Sequence, residues 1–118
     1  MNYLLFILFG YLSGSMLFSY WLPLWLKKTD ITQDTPDENP GVYNCVIKAG
    51  WPLGLLALCC DLLKGALPVF WACRTLDVEQ WPFVLVVAAP VAGHAFSVFR
   101  RFRGGKAITV TFGVMLGL

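Results

Sequence analysis

The stretch WPLGLLALCCDLLKGALPVFWAC, residues 51–73, decides the fold. It holds one acid and one base, Asp61 and Lys64, and is otherwise apolar or small. At about 1.5 Å rise per residue, a helix of this length covers the roughly 30 Å hydrocarbon core of a bilayer. Three further apolar stretches flank it. Tyr3 to Leu26 carries no charge, has no basic leader, and reads as one retained span. Trp81 to Phe99 reads as another span, and Ala107 to Leu118 as the start of a fourth. Of the 118 residues, 58% are hydrophobic and 14% are charged, and the mean hydropathy is +0.66. A water-soluble domain of this size needs more polar surface. The expected fold is therefore an all-α, polytopic transmembrane helix bundle: three full spans and the beginning of a fourth, forming a single transmembrane domain over residues 1–118.

Several function classes fall away at this level. Net charge is +2, so bulk charge identifies no partner, and no nucleic acid is expected. His94 is the sole histidine. Cys45, Cys59, Cys60 and Cys73 show no C-x-x-C spacing and read as small buried residues. No metal site is expected. The small residues Gly10, Ser13, Gly14 and Ser15 predict close helix packing by the first span.

Placement of charge is more informative than its sum. Lys27, Lys28 and Lys48 lie in the first connection, and Arg100, Arg101, Arg103 and Lys106 in the third; the second has only Arg74. The positive-inside rule then puts the first and third connections in the cytoplasm and the N-terminus outside. Both polar segments meet at one membrane face, where they can form one site. Within the first, Asn39-Pro40-Gly41 is a turn signal, and Val42 to Lys48 reads as a short interfacial helix.

Asp61 and Lys64 lie one turn apart inside a span, so they share a face. Ionisable groups at such depth are functional candidates, with a mutual ion pair that locks helices as the competing reading. Gly104-Gly105-Lys106 precedes the fourth apolar segment. It is expected to be an anion-binding helix start, because glycines let a phosphate approach backbone N–H groups; a tight turn between spans is the competing reading. His94 lies about two turns before the basic cluster and has a structural hydrogen-bonding role as its alternative. Asn39 and Asn44 bracket the Pro-Gly turn and have capping as theirs. Together these groups suit a phosphate on a lipid-related substrate.

Four pieces share the order of one family: GS at 14–15, NPGVYN at 39–44, DLLKGALPV at 61–69 and GHAFSVFRRFRGGKAI at 93–108. The chain resembles the bacterial acyl-phosphate:glycerol-3-phosphate acyltransferases. The resemblance implies an integral enzyme of the bacterial inner (plasma) membrane that acts in phospholipid synthesis. It implies transfer of an acyl group from acyl phosphate to the 1-hydroxyl of glycerol 3-phosphate, giving lysophosphatidic acid and inorganic phosphate. Its partners would be those two substrates and the lipid bilayer, with no cofactor and no metal. The acyl phosphate is already activated, so positioning and charge stabilisation are expected to carry the reaction. By this resemblance Lys64, His94 and Asn39 are the catalytic candidates. Asn44, Gly104, Gly105, Lys106, Thr35 and Arg103 are the candidates for binding phosphate.

The chain departs from the family pattern in the first motif. Thr32 stands where an arginine is expected, and TPDE, residues 35–38, replaces Gly-Ser-Gly, with Thr35 or Asp37 in place of the serine. Ala107 follows the lysine where the family has glycine. The family runs to roughly two hundred residues and seven spans, so residues 1–118 are expected to form the N-terminal part of such a domain. The alternative is a catalytically inactive membrane protein, or truncated homologue, that binds anionic lipid or phosphate.

Overall fold

The computed structural model describes residues 2–118; the first residue of the expected domain lies outside them. Among the described residues there are six α-helices: α1 (Tyr3–Ser15), α2 (Phe18–Lys27), α3 (Val42–Ala49), α4 (Trp51–Thr75), α5 (Phe83–Ala95) and α6 (Ile108–Gly117). A single 3-10 turn, Val98–Arg100, follows α5. α4 is long and apolar enough to cross a membrane, as is the Phe83–Arg100 segment, and α1 with α2 makes a third span if the bent pair is taken as one. The expected all-helical membrane bundle is observed.

The exterior is apolar, and several ionisable or polar side chains are buried among apolar ones. Leu4, Leu5, Leu8, Leu55, Leu63, Phe112 and Leu116 are exposed, whereas Asp61, Lys64, His94 and Asn44 are buried. An apolar exterior of this extent is at home against lipid chains and would be an aggregation surface in water.

Small residues set the helix contacts. α1 packs on α5, and α4 on α6. A side chain at Gly14 would overlap the Pro90 carbonyl, and one at Gly113 the Leu62 carbonyl. The small-residue patch read in the first span therefore does what its composition predicts.

Two helices differ from expectation. The first span is not continuous: α1 and α2 bend by 43° at Met16-Leu17. The break exposes carbonyls that a straight helix would consume. Ser97 Oγ donates to Ser15 O at 2.6 Å, and Lys64 Nζ to Met16 O at 2.8 Å. Buried partners replace the lost helical bonds, which is what irregular backbone at membrane depth requires. The third span was expected to stay helical to Phe99, but α5 stops at Ala95. The amides of Gly104 and Gly105 donate to Ala95 O at 3.0 Å and His94 O at 3.1 Å. The returning chain thus satisfies the carbonyls that another helical turn would have served.

Candidate functional site

The first and third connections meet at one end of the bundle. There a cavity of about 200 Å³ is lined by Asn39, Gly41, Val42, Tyr43, Asp61, His94 and residues Lys106 to Thr109. This is below the roughly 300–1,000 Å³ of pockets for drug-sized ligands and suits a small polar group. α3 and α6 both begin on its wall. Among the described residues neither helix start has a side-chain cap. First-turn amides of a helix have no partner within it, and two positive dipole ends therefore face one small space.

Beneath the cavity lies a buried cluster. Asp61 Oδ1 and Lys64 Nζ are 3.2 Å apart, with side chains 1% and 2% exposed. Ser19 Oγ donates to Asp61 Oδ2 at 2.7 Å. Lys64 Nζ also lies 2.7 Å from His94 Nδ1. An ammonium has only donors, so Nδ1 must accept and the neutral ring carries its proton on Nε2. Nε2 is on the Gly105 side: a side chain built at Gly105 would come within 2.8 Å of it and 2.5 Å of Asn39 Oδ1. His94 in this state offers the cavity an N–H donor rather than a base.

At the rim, Lys106 Nζ pairs with Asp37 Oδ2 at 3.1 Å, with 60% and 39% of these side chains exposed. Asn44 Nδ2 donates to Asp37 Oδ1 at 3.0 Å and to Asn39 O at 2.8 Å. The Asn39 amide donates to Asp37 Oδ1 at 3.2 Å. The Asn44 hydrogen bond, then Lys106, then the Asn39 amide hold the Asp37 carboxyl down to a pKa of about 2.

The structure thus distributes the residues expected from sequence. Asn39, His94 and Lys106 line the cavity. Lys64 lies one contact behind it, through His94 and Asp61, and Asn44 braces the rim. Gly104 and Gly105 are adjacent, but their amides are occupied by α5 carbonyls. The expectation that Gly104-Gly105-Lys106 opens an anion-binding helix is corrected accordingly. The helix begins at Ile108, and the glycines are required because the chain presses against the end of α5. A side chain at Gly104 would overlap the His94 carbonyl. Thr35 is turned into its own loop, with Oγ1 donating to Thr32 O at 2.9 Å. Arg103 lies on an outer surface with Phe99, Arg100 and Arg101. Neither Thr35 nor Arg103 lines the cavity.

Three placements go beyond the sequence reading. Asp61 lines the cavity as well as pairing with Lys64. Ser19 fixes Asp61 across the helix break, and Asp37 collects the rim donors. The acid at 37 stood out as a departure from the family pattern in place of its serine, and nothing local marked Ser19.

Comparison with known proteins agrees with this architecture. A family model described as Glycerol-3-phosphate acyltransferase matches residues 4–118. The chain belongs to this family. A family relative from Thermotoga petrophila, named glycerol-3-phosphate acyltransferase, is 37% identical over 118 residues, covering 100% of this chain and 59% of the relative. One from Myxococcus xanthus with the same name is 38% identical over 112 residues, covering 95% and 58%. Two crystal structures of PlsY, an integral membrane glycerol 3-phosphate acyltransferase, share the fold. The glycerol 3-phosphate form aligns with a TM-score of 0.89 at 30% identity, over 99% of this chain and 57% of that one. The lysophosphatidic acid form gives a TM-score of 0.85 at 28% identity, over the same shares. The chain spans somewhat more than half the length of the curated relatives it matches.

Proposed function

We propose that the cavity binds the phosphate of glycerol 3-phosphate, and that residues 1–118 form the corresponding part of a membrane acyltransferase domain. The observation carrying this reading is the convergence of the α3 and α6 starts, Lys106, Asn39 and the His94 Nε2–H donor on one small cavity. Membership in the acyltransferase family supplies the substrate class. In the reaction the 1-hydroxyl oxygen attacks the acyl carbon of acyl phosphate, and the bond from that carbon to the phosphate oxygen breaks. The departing phosphate takes the hydroxyl proton, leaving lysophosphatidic acid and inorganic phosphate. Lys106 and the helix-start amides stabilise phosphate charge, and the His94 Nε2–H suits the oxyanion that develops on the acyl group. Lys64 and Asp61 hold His94 in its donor tautomer. Asn44 fixes the rim by bonding Asn39 O. Gly104 and Gly105 serve by leaving room. Thr35 and Arg103 take no direct part in this reading.

The proposed location is the bacterial plasma membrane, with the N-terminus outside and the cavity facing the cytoplasm. Calorimetric titration of the detergent-purified chain with glycerol 3-phosphate tests the site. The expected result is binding that weakens at least tenfold in Lys106→Gln; equal affinity of the two forms overturns the site. Impermeant-thiol labelling in a cysteine-free background tests the orientation. Gln80→Cys is expected to react in intact cells and Gln33→Cys only after lysis; the reverse pattern overturns it.

One specific observation favours a second reading. A carboxylate already sits on Lys106, as expected of a protein that binds phosphate loosely without transferring an acyl group. Formation of lysophosphatidic acid from acyl phosphate and glycerol 3-phosphate separates the two.

A further inference from the structure

The proposed chemistry makes no use of Asp37, yet its carboxylate is the most heavily bonded group on the cavity rim. Three donors converge on it: the local Asn39 backbone amide, the Asn44 side-chain amide from α3 and the Lys106 ammonium from the third connection, at 3.2, 3.0 and 3.1 Å. Two oxygens on one centre, held by a cation and two amides, is also the way a protein holds a phosphate edge. Two of those donor side chains, Asn44 and Lys106, are ones the family resemblance implies for the substrate phosphate.

We propose that Asp37 is a built-in competitor of phosphate: its carboxylate occupies donors that phosphate oxygens of a phosphomonoester take up, and the ligand binds by displacing it. The inference deepens the reading of the cavity as a phosphate site and rests on it.

Three features fit an occupant that leaves. Asp37 is carried by a loop rather than by a helix of the bundle, and it is exposed. Asp34 and Glu38 adopt left-handed backbone, with φ of 58° and 50°, so the carboxylate is delivered by a kinked segment that lies outside α3 and α4. Exposed ion pairs are weak, so a dianionic phosphate can replace the carboxylate. While in place, the carboxylate keeps the long Lys106 side chain at the rim. The low pKa of Asp37 means that it remains charged throughout the physiological range. No other acid lies within ion-pair distance of Lys106 among the described residues.

The competitor and a simple brace differ in the sign of one effect. Asp37→Asn is nearly isosteric and keeps an acceptor oxygen for Asn44 and Asn39, while removing the charge that holds Lys106. The detergent-purified full chain and this variant are titrated calorimetrically with glycerol 3-phosphate and with inorganic phosphate. A competitor predicts that Kd falls in the variant, by about threefold given the weakness of exposed pairs, for both ligands. Acetic anhydride footprinting read by mass spectrometry should also show faster acetylation of Lys106 relative to Lys28. Unchanged or weaker binding in the variant, with measurable binding by the parent chain, overturns the competitor and leaves the phosphate site standing. Absence of binding by both forms overturns the phosphate site, and the competitor with it. If Asp37→Asn fails to fold, Asp37→Ser replaces it, and the same sign decides.

Discussion

Two aspartate–lysine pairs stand at nearly the same separation, 3.2 Å for Asp61–Lys64 and 3.1 Å for Asp37–Lys106. Their chemistry is identical and their surroundings are opposite. The first is enclosed by α1, α2, α4 and α5, where Ser19, Met16 and His94 satisfy the remaining polar atoms. The second stands in water, on a loop and a turn. Distance alone therefore says little about what a pair does. Charges removed from water must stay paired or the structure fails, whereas charges left in water can separate cheaply. The buried pair is suited to hold geometry, and the exposed pair to exchange partners.

The sharpest way to break this comparison is to remove one charge from each pair. Lys64→Met leaves Asp61 buried without its counter-ion, and the expected loss of stability is about 3–5 kcal/mol. Adding Asp61→Asn should restore most of it. The burial of both side chains favours the helix-locking reading of this pair. Lys106→Gln should shift the melting temperature by about 1 °C at most, in keeping with the small worth of exposed pairs. Thermal melts of the four detergent-purified proteins check both halves. Equal shifts for Lys64→Met and Lys106→Gln would end the distinction.

A smaller effect separates the two glycines. A methyl group at Gly104 meets backbone, the His94 carbonyl, which cannot step aside without moving the end of α5. Gly104→Ala is expected to cost about 1–3 kcal/mol, the usual range for overpacking. A methyl group at Gly105 meets the side chains of Asn39 and His94. Those can shift, so Gly105→Ala should melt closer to the parent while weakening glycerol 3-phosphate binding several-fold. Melts and titrations of both variants test this. A stability loss at Gly105 larger than at Gly104 would contradict the assigned contacts.

Much of the fold was legible because lipid imposes simple rules. The apolar runs at 51–73 and 81–99 declared helices, Asn39-Pro40-Gly41 declared a turn, and the small residues near Gly14 declared a close crossing. The meeting of the first and third connections followed from lysine and arginine counts. What stayed hidden depends on where individual hydrogen bonds end. The break at Met16-Leu17 lies in uniformly apolar sequence; its carbonyls are stabilised by Ser97 and Lys64, which are far away in the chain. The same limit explains the reading of Gly104 and Gly105. A glycine pair before a helix looks identical whether its amides face a ligand or the end of α5. Asp37 was visible as an acid in place of the family serine; the Asn39 amide is a local donor two residues on, but Asn44 and Lys106 reach it through the fold.

The smallest effect expected is local and is read by protonation. Asp37 in the folded chain titrates at about 2, against 3.8 for an unperturbed aspartate. A depressed carboxylate pKa means that the folded state prefers the charged form. The contribution of this contact is fully present above the unperturbed value and is lost as pH falls through the folded one. Between neutral pH and about pH 4 the rim should therefore not change. Below that, protonation removes the acceptor from Asn44 and the counter-charge from Lys106. Side-chain amide NMR of Asn44 in detergent, followed from pH 5 to the lowest pH the fold tolerates, reports this directly. The expected curve stays flat past the ordinary aspartate range and turns over near the folded value. In Lys106→Gln the midpoint should move up only part of the way, because the Asn44 hydrogen bond is the larger cause of the depression. A full return to 3.8 in that variant would assign the depression to the ion pair. The exposed pair would then be more like the buried one than the structure implies.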